Sequence, residues 1–271
     1  LAGPAVGFLL APIRTPTGLD QATITTAASP LLALGVALTS LAIAAVLGLL
    51  ARRFLSDRFA LFTAGLALTW FAFNTGNLAA LARDFQPQGL LIRFALESAL
   101  LAPLAAAAAW ILTATPRPPL PDHVPADPPN ARLLSKHSAL ALAIAVPAAL
   151  AAAAFVAVTG LRGQTLAAAI AAGIAAGLAS RLLFRAASPA AAVAGVMLAG
   201  LIAPLIAIAM LPTDPLPAIY AGQLFPAAKL GPGDWLAGAL AGVPVGHYAA
   251  LSLLDHSHSK ADAIEARHAR A

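Results

Sequence analysis

Residues 30–53 read PLLALGVALTSLAIAAVLGLLARR, and no charged side chain interrupts the run between Pro30 and Ala51. At 1.5 Å per helical residue such a run crosses a hydrocarbon core of ~30 Å. Ser29 followed by Pro30 is a helix-start signal, and Arg52 and Arg53 close the run with charge.

Six further runs meet the same standard: Phe59 to Ala82, Gly89 to Ala114, Ser138 to Thr159, Gln164 to Phe184, Pro189 to Leu211 and Trp235 to Leu254. Each is bounded by charge, Pro or Gly, and Ser188 before Pro189 and Asp234 before Trp235 repeat the start signal. Composition agrees. Apolar residues make up 60% of the 271 positions, charged residues 10%, and mean hydropathy is +0.85. A soluble domain is nearer half apolar and a quarter charged, because its core needs a charged surface. A lipid-facing surface removes that need. The fold class expected is therefore all-α, a polytopic transmembrane bundle of about seven helices whose main partner is the lipid bilayer.

Orientation follows from the basic residues between spans. Arg52, Arg53 and Arg58, then Arg117, Arg132 and Lys136, then Arg181 and Arg185, then Lys260, Arg267 and Arg270 fall on one side. Arg14, Arg83, Arg162 and Lys229 fall on the other. The positive-inside rule puts the first set in the cytoplasm, with the N-terminus outside and the C-terminus inside, as in a bacterial inner membrane. The net charge of +5 arises from these turns. Without basic patches interleaved with stacking aromatics, nucleic acid is not an expected partner.

The chain divides accordingly. Residues 1–29 form an outer segment whose apolar stretch Leu1 to Ile13 is too short to span; it is either interfacial or the remnant of a further helix. Residues 30–114 carry three spans, and the Pro-rich 115–137 is a cytoplasmic linker. Residues 138–254 carry four spans with an outer loop at 212–233, and 255–271 is a cytoplasmic tail. Tyr220 and Phe225 in that loop fit an ordinary covering loop or an interfacial segment.

Four polar residues lie at membrane depth: Asn74 and Asn77 on the second span, Arg93 and Glu97 on the third. Arg93 and Glu97 are four apart, share a helix face and can pair. A short hairpin would set the asparagines level with them. Intramembrane ionisable residues are expensive and point to a solute or ion site; the alternative is a structural pair that holds the hairpin together. Gly173 and Gly177 on the fifth span, with Ala169, and Gly238, Gly242 and Gly246 on the seventh recur every four residues. Stripes of this kind let helix backbones approach, within one chain or between subunits. Pro103, Pro147, Pro204 and Pro244 fall inside spans and are expected to kink them.

Enzyme chemistry finds no support. The chain has no Cys, no Lys inside a span for a retinal Schiff base, no Gly-x-Ser-x-Gly elbow, no His-Glu-x-x-His and no phosphate-binding loop. His247 alone cannot hold a haem from both sides, so no cofactor or metal is expected. Two functions remain: a small-solute or ion transporter or permease component, or a non-catalytic subunit or scaffold that docks partner helices or a second copy of itself.

Overall fold

The computed structural model describes residues 13–55, 57–114, 135–184, 187–211 and 215–268. Nearly all of the apolar Leu1–Ile13 run and most of the Pro-rich linker lie outside the described residues. The elements in chain order are α1 (Pro30–Phe54), α2 (Asp57–Asn74), α3 (Leu78–Leu81), α4 (Pro87–Ala114), α5 (Lys136–Val156), α6 (Arg162–Leu183), α7 (Pro189–Ala209), α8 (Pro215–Tyr220), a 3₁₀ turn (Pro226–Lys229) and α9 (Pro232–His268). Among the described residues seven helices are long and apolar enough to cross a membrane: α1, α2 continued through α3, α4, α5, α6, α7 and α9. The protein is an all-α, multi-pass membrane protein.

Local chemistry sets the boundaries. Ser135 caps α5 by accepting the Ser138 amide at 3.1 Å, and Ser188 caps α7 by accepting the Ala190 amide at 3.3 Å. The second span departs from the uninterrupted helix expected over Phe59–Ala82: α2 stops at Asn74 and α3 restarts at Leu78. Asn77 caps the restart, its side chain accepting the Ala80 amide at 2.9 Å. Gly76, between them, lies under the Gln21 carbonyl, where a Cβ has no room. By contrast, α4, α5, α7 and α9 each run continuously through their internal proline.

Helix α9 is the axis of the bundle. Two thirds of its apolar window is buried, 67%, against 28% for α1 and 22% for α5, which lie at the periphery. Small residues make that position possible. Gly238, Gly242 and Gly246 of α9 face Ala169, Gly173, Ile174 and Gly177 of α6, backbone on backbone. Gly65 of α2 meets the Ala241 backbone, and Gly200 of α7 leaves room for the fully buried Trp235. In lipid, where apolar side chains gain little by leaving the bilayer, close packing of this kind supplies much of the association energy. Large apolar side chains such as Leu31, Val46, Leu140 and Phe155 cover the outside.

The two ends of the bundle differ. One carries Arg52, Arg53 and Arg181 in the last turns of α1 and α6, and is called the arginine end below. The other gathers residues 15–29, 73–85, 157–165 and 219–234 through mutual hydrogen bonds, and is the polar end. The loop after α7 belongs to it as a folded cover: Leu224, Ala227, Ala228 and Leu230 are buried against the bundle.

Candidate functional site at the polar end

Helix α4 presents Glu97 ten residues after its start, ~15 Å along its axis. The carboxylate is 2% exposed and faces the non-helical segment that precedes α1. Its Oε1 accepts three hydrogen bonds of 2.6 Å, from the Thr23 hydroxyl, the Thr25 hydroxyl and the Thr25 amide. One turn earlier Arg93 donates to the Thr25 carbonyl at 2.8 Å and lies over the Phe85 ring, 4.9 Å from its centroid. Higher on the same helix end, Asp84 accepts from Thr15 and Thr17. The segment therefore enters at the start of α4, descends beside it to the level of Glu97, and turns into α1 at Pro30.

Extended backbone is costly in lipid unless every N–H and C=O is satisfied. The segment meets part of that demand with its own bonds and part through α4. Thr23 and Thr26 close a small turn, the Ala27 amide donates to the Thr23 carbonyl at 3.0 Å, and the Ala28 amide donates to the Arg14 carbonyl at 2.8 Å. Gly18 takes the left-handed conformation, φ +92°, that lets the strand reverse.

The four polar residues singled out in the sequence do not form one cluster. Asn74 is turned back on its own helix, donating to the Trp70 carbonyl at 2.8 Å. Asn77 is a cap whose amide also reaches the Gly160 carbonyl, 2.9 Å away in the α5–α6 turn. Arg93 and Glu97 do come together, but both bind the N-terminal segment instead of forming an ion pair with each other. The reason is geometric. The segment offers Glu97 three donors at one oxygen, and its Thr25 carbonyl gives Arg93 an acceptor.

A second group of charges surrounds the start of α9. Lys229, 6% exposed, donates to the Val158 carbonyl at 2.6 Å and the Gly222 carbonyl at 3.1 Å, tying the cover loop to the end of α5. Burial holds its ammonium below the usual lysine range. Asp234, 1% exposed, reaches back to the Gly231 amide at 2.9 Å and so caps α9 from its first turn. Arg162, the first residue of α6, donates through Nε to the Phe73 carbonyl at 3.1 Å. Its Nη1 and Nη2 are buried without a hydrogen-bond partner, and the Asp234 carboxyl faces the Arg162 charge and the Thr165 hydroxyl. The turn Asn74–Asn77 joins the two groups: Gly76 touches the Gln21 carbonyl on one side, and its own carbonyl meets Gly231 on the other.

The sequence singles out Glu97 by its charge and does not reveal its partners. The signal that could have found them is the hydroxyl cluster Thr23, Thr25 and Thr26 just before the first span. Arg162 and Asp234 were read as an orientation charge and a helix start, because the fold alone brings residues 72 positions apart to one junction. Among the described residues no group of three or more His, Cys, Asp or Glu could hold a metal ion. Comparisons with family models, with curated proteins and with solved structures return no significant match.

Proposed function

We propose that the protein is a small-solute or ion transporter, or the permease component of one, with its arginine end in the cytoplasm of a bacterial inner membrane. The observation that carries this reading is the non-helical segment bonded to Glu97 at depth. Irregular backbone at membrane depth recurs in transporters, where it exposes polar groups along a pathway and exchanges partners as the pathway opens. A carboxylate whose three donors all come from one detachable segment fits a gate better than a permanent strut. The docking-subunit reading loses its main support, since the glycine stripes it would offer to partners are spent against each other within the chain.

The test is reconstitution of the purified chain in liposomes, with currents recorded on a solid-supported membrane for a panel of amino acids, sugars and alkali cations. At least one class gives a current, and Glu97→Gln removes it while the protein remains folded. A silent panel, both for the chain alone and together with any membrane partner that copurifies in mild detergent, overturns the proposal. So does a partner that carries the full flux without this chain.

A further inference from the structure

We propose that Glu97 carries a proton for transport: it is a carboxylic acid while the segment before α1 is docked, and when that segment lifts it gives the proton to water at the polar end and pairs with Arg93. The proposal rests on the transport reading and names a proton as the coupled substrate of the same site. A proton needs no cavity, so the closed packing around Glu97 admits it.

The docked geometry leaves one carboxyl oxygen for that proton. The Thr25 amide and the Thr23 and Thr25 hydroxyls all donate to Oε1, each at 2.6 Å. An amide N–H can only donate, so Oε1 is a lone-pair oxygen, which a carboxylic acid supplies as a carboxylate does. Oε2 takes none of these three bonds. Glu97 is buried, and among the described residues no cation forms an ion pair with it. A carboxylate there would be a buried charge without a countercharge, which low-dielectric surroundings penalise heavily. The acid keeps the same three bonds and avoids the penalty.

Arg93 is the countercharge held in reserve. It stands one turn before Glu97 on the same face, yet its Nη1 donates to the Thr25 carbonyl at 2.8 Å and its guanidinium lies over Phe85. Thr25 keeps the two side chains apart, engaging Arg93 with its carbonyl and Glu97 with its amide and hydroxyl. All four bonds run to Thr23 and Thr25, so they are lost together when the segment lifts. An ion pair at i, i+4 is then open to the two side chains, and it uses the carboxylate, not the acid. The exchange balances: a neutral Glu97 and a bound Arg93 become an ion pair, and one proton passes to water.

Other charges nearby are engaged or exposed elsewhere. Arg14 and Asp20 of the segment pair with each other at 3.0 Å, Asp84 accepts from Thr15 and Thr17, and Arg83 is exposed beside it. Helices α1, α2, α3 and α7 pack against α4 and carry no charged residue toward the polar end. On α9, Asp234 is held by the Gly231 amide, and His247 lies several turns further toward the arginine end.

The experiment places spin labels at Leu19→Cys on the segment and Leu161→Cys in the α5–α6 turn, both exposed in a chain without Cys. Their separation is measured by pulsed electron resonance in nanodiscs from about pH 5 to about pH 9, a range that brackets one linked proton. At low pH a single docked distance is expected. As pH rises, a lifted population grows against it by up to about tenfold per pH unit, the limit for one proton. Glu97→Gln keeps the acceptor oxygen but cannot ionise, so it stays docked throughout. Arg93→Gln keeps a donor for the Thr25 carbonyl but loses the countercharge, so lifting shifts to a pH at least about one unit higher. This second variant decides the matter if Glu97→Gln fails to fold. A separation indifferent to pH, lifting at low pH instead of high, or the parent's pH response retained in either variant overturns the proposal. Current with a segment indifferent to pH overturns the proton role and leaves transport standing. A segment that answers pH in a protein without current sinks the transport reading and keeps the proton exchange.

Discussion

Gly173 of α6 and Gly242 of α9 are packed so closely that a Cβ built on either would lie 2.9 Å from the other's Cα. No side chain of either helix separates them, and the seam continues through Gly177 and Gly246, where the added atom would strike backbone of the opposite helix. Backbone cannot step aside as the tip of a flexible side chain does.

Gly177→Val and Gly242→Val are accordingly expected to cost at least ~1–3 kcal/mol of overpacking and to reduce folded yield. Gly35→Ala and Gly163→Ala, where an added Cβ meets nothing within 4 Å, leave melting and yield unchanged. Thermal melting in detergent separates the two classes. A Gly242→Val protein that melts like the parent would show that α6 and α9 do not meet in this way.

Glu97 anchors the segment before α1 through three hydrogen bonds to one oxygen, each contributing ~0.5–1.5 kcal/mol. Glu97→Ala should free that segment while the helices remain packed, since the small-residue seam is untouched. Hydrogen–deuterium exchange at the amides of Thr23, Thr25, Ala27 and Ala28 is expected to speed up at least tenfold. Exchange unaltered from the parent would mean that other contacts hold the segment.

Lys229 makes stability depend on alkaline pH. Burial lowers its folded-state pKa, so between that value and the ~10.4 of an unfolded chain the unfolded state binds the extra proton. Its contribution to unfolding free energy therefore rises with pH across that window. Below the window the burial penalty is present in full. Lys229→Met lacks this term, so the stability of the parent relative to the variant should increase from neutral pH toward ~10.4. Parallel pH profiles for the two proteins would rule the effect out.

The absence of Cys allows single-cysteine mapping of the topology. Gln223→Cys, exposed in the cover loop at the polar end, should label in intact cells with a membrane-impermeant maleimide. Ala126→Cys in the Pro-rich linker should label only after permeabilisation, as the arginine bias demands. Reversed labelling would invert the bundle and place the polar end inside.

Much of the fold was legible because hydrocarbon imposes a simple rule on sequence: length and apolarity mark a span, and each expected span corresponds to a helix here. The break at Thr75–Asn77 is masked because Leu78 to Ala82 continue the apolar run; the Gln21 carbonyl above Gly76 and the Asn77 cap account for it in the fold. The site was half legible. Glu97 announced itself by charge in an apolar run, whereas Thr23 and Thr25 are cheap residues in any loop, and their importance exists only once the segment folds down on α4. Arg162 and Asp234 were hidden for a related reason: each stands at a helix boundary, where charge is ordinary, and their proximity is a product of tertiary packing.

Helix α9 runs without a break from Pro232 to His268, 37 residues or ~55 Å. That is well beyond the thickness of the bilayer, so its final turns project clear of it as a stiff lever. A small tilt at the Asp234 end of so long a rod becomes a larger sideways swing at the far tip.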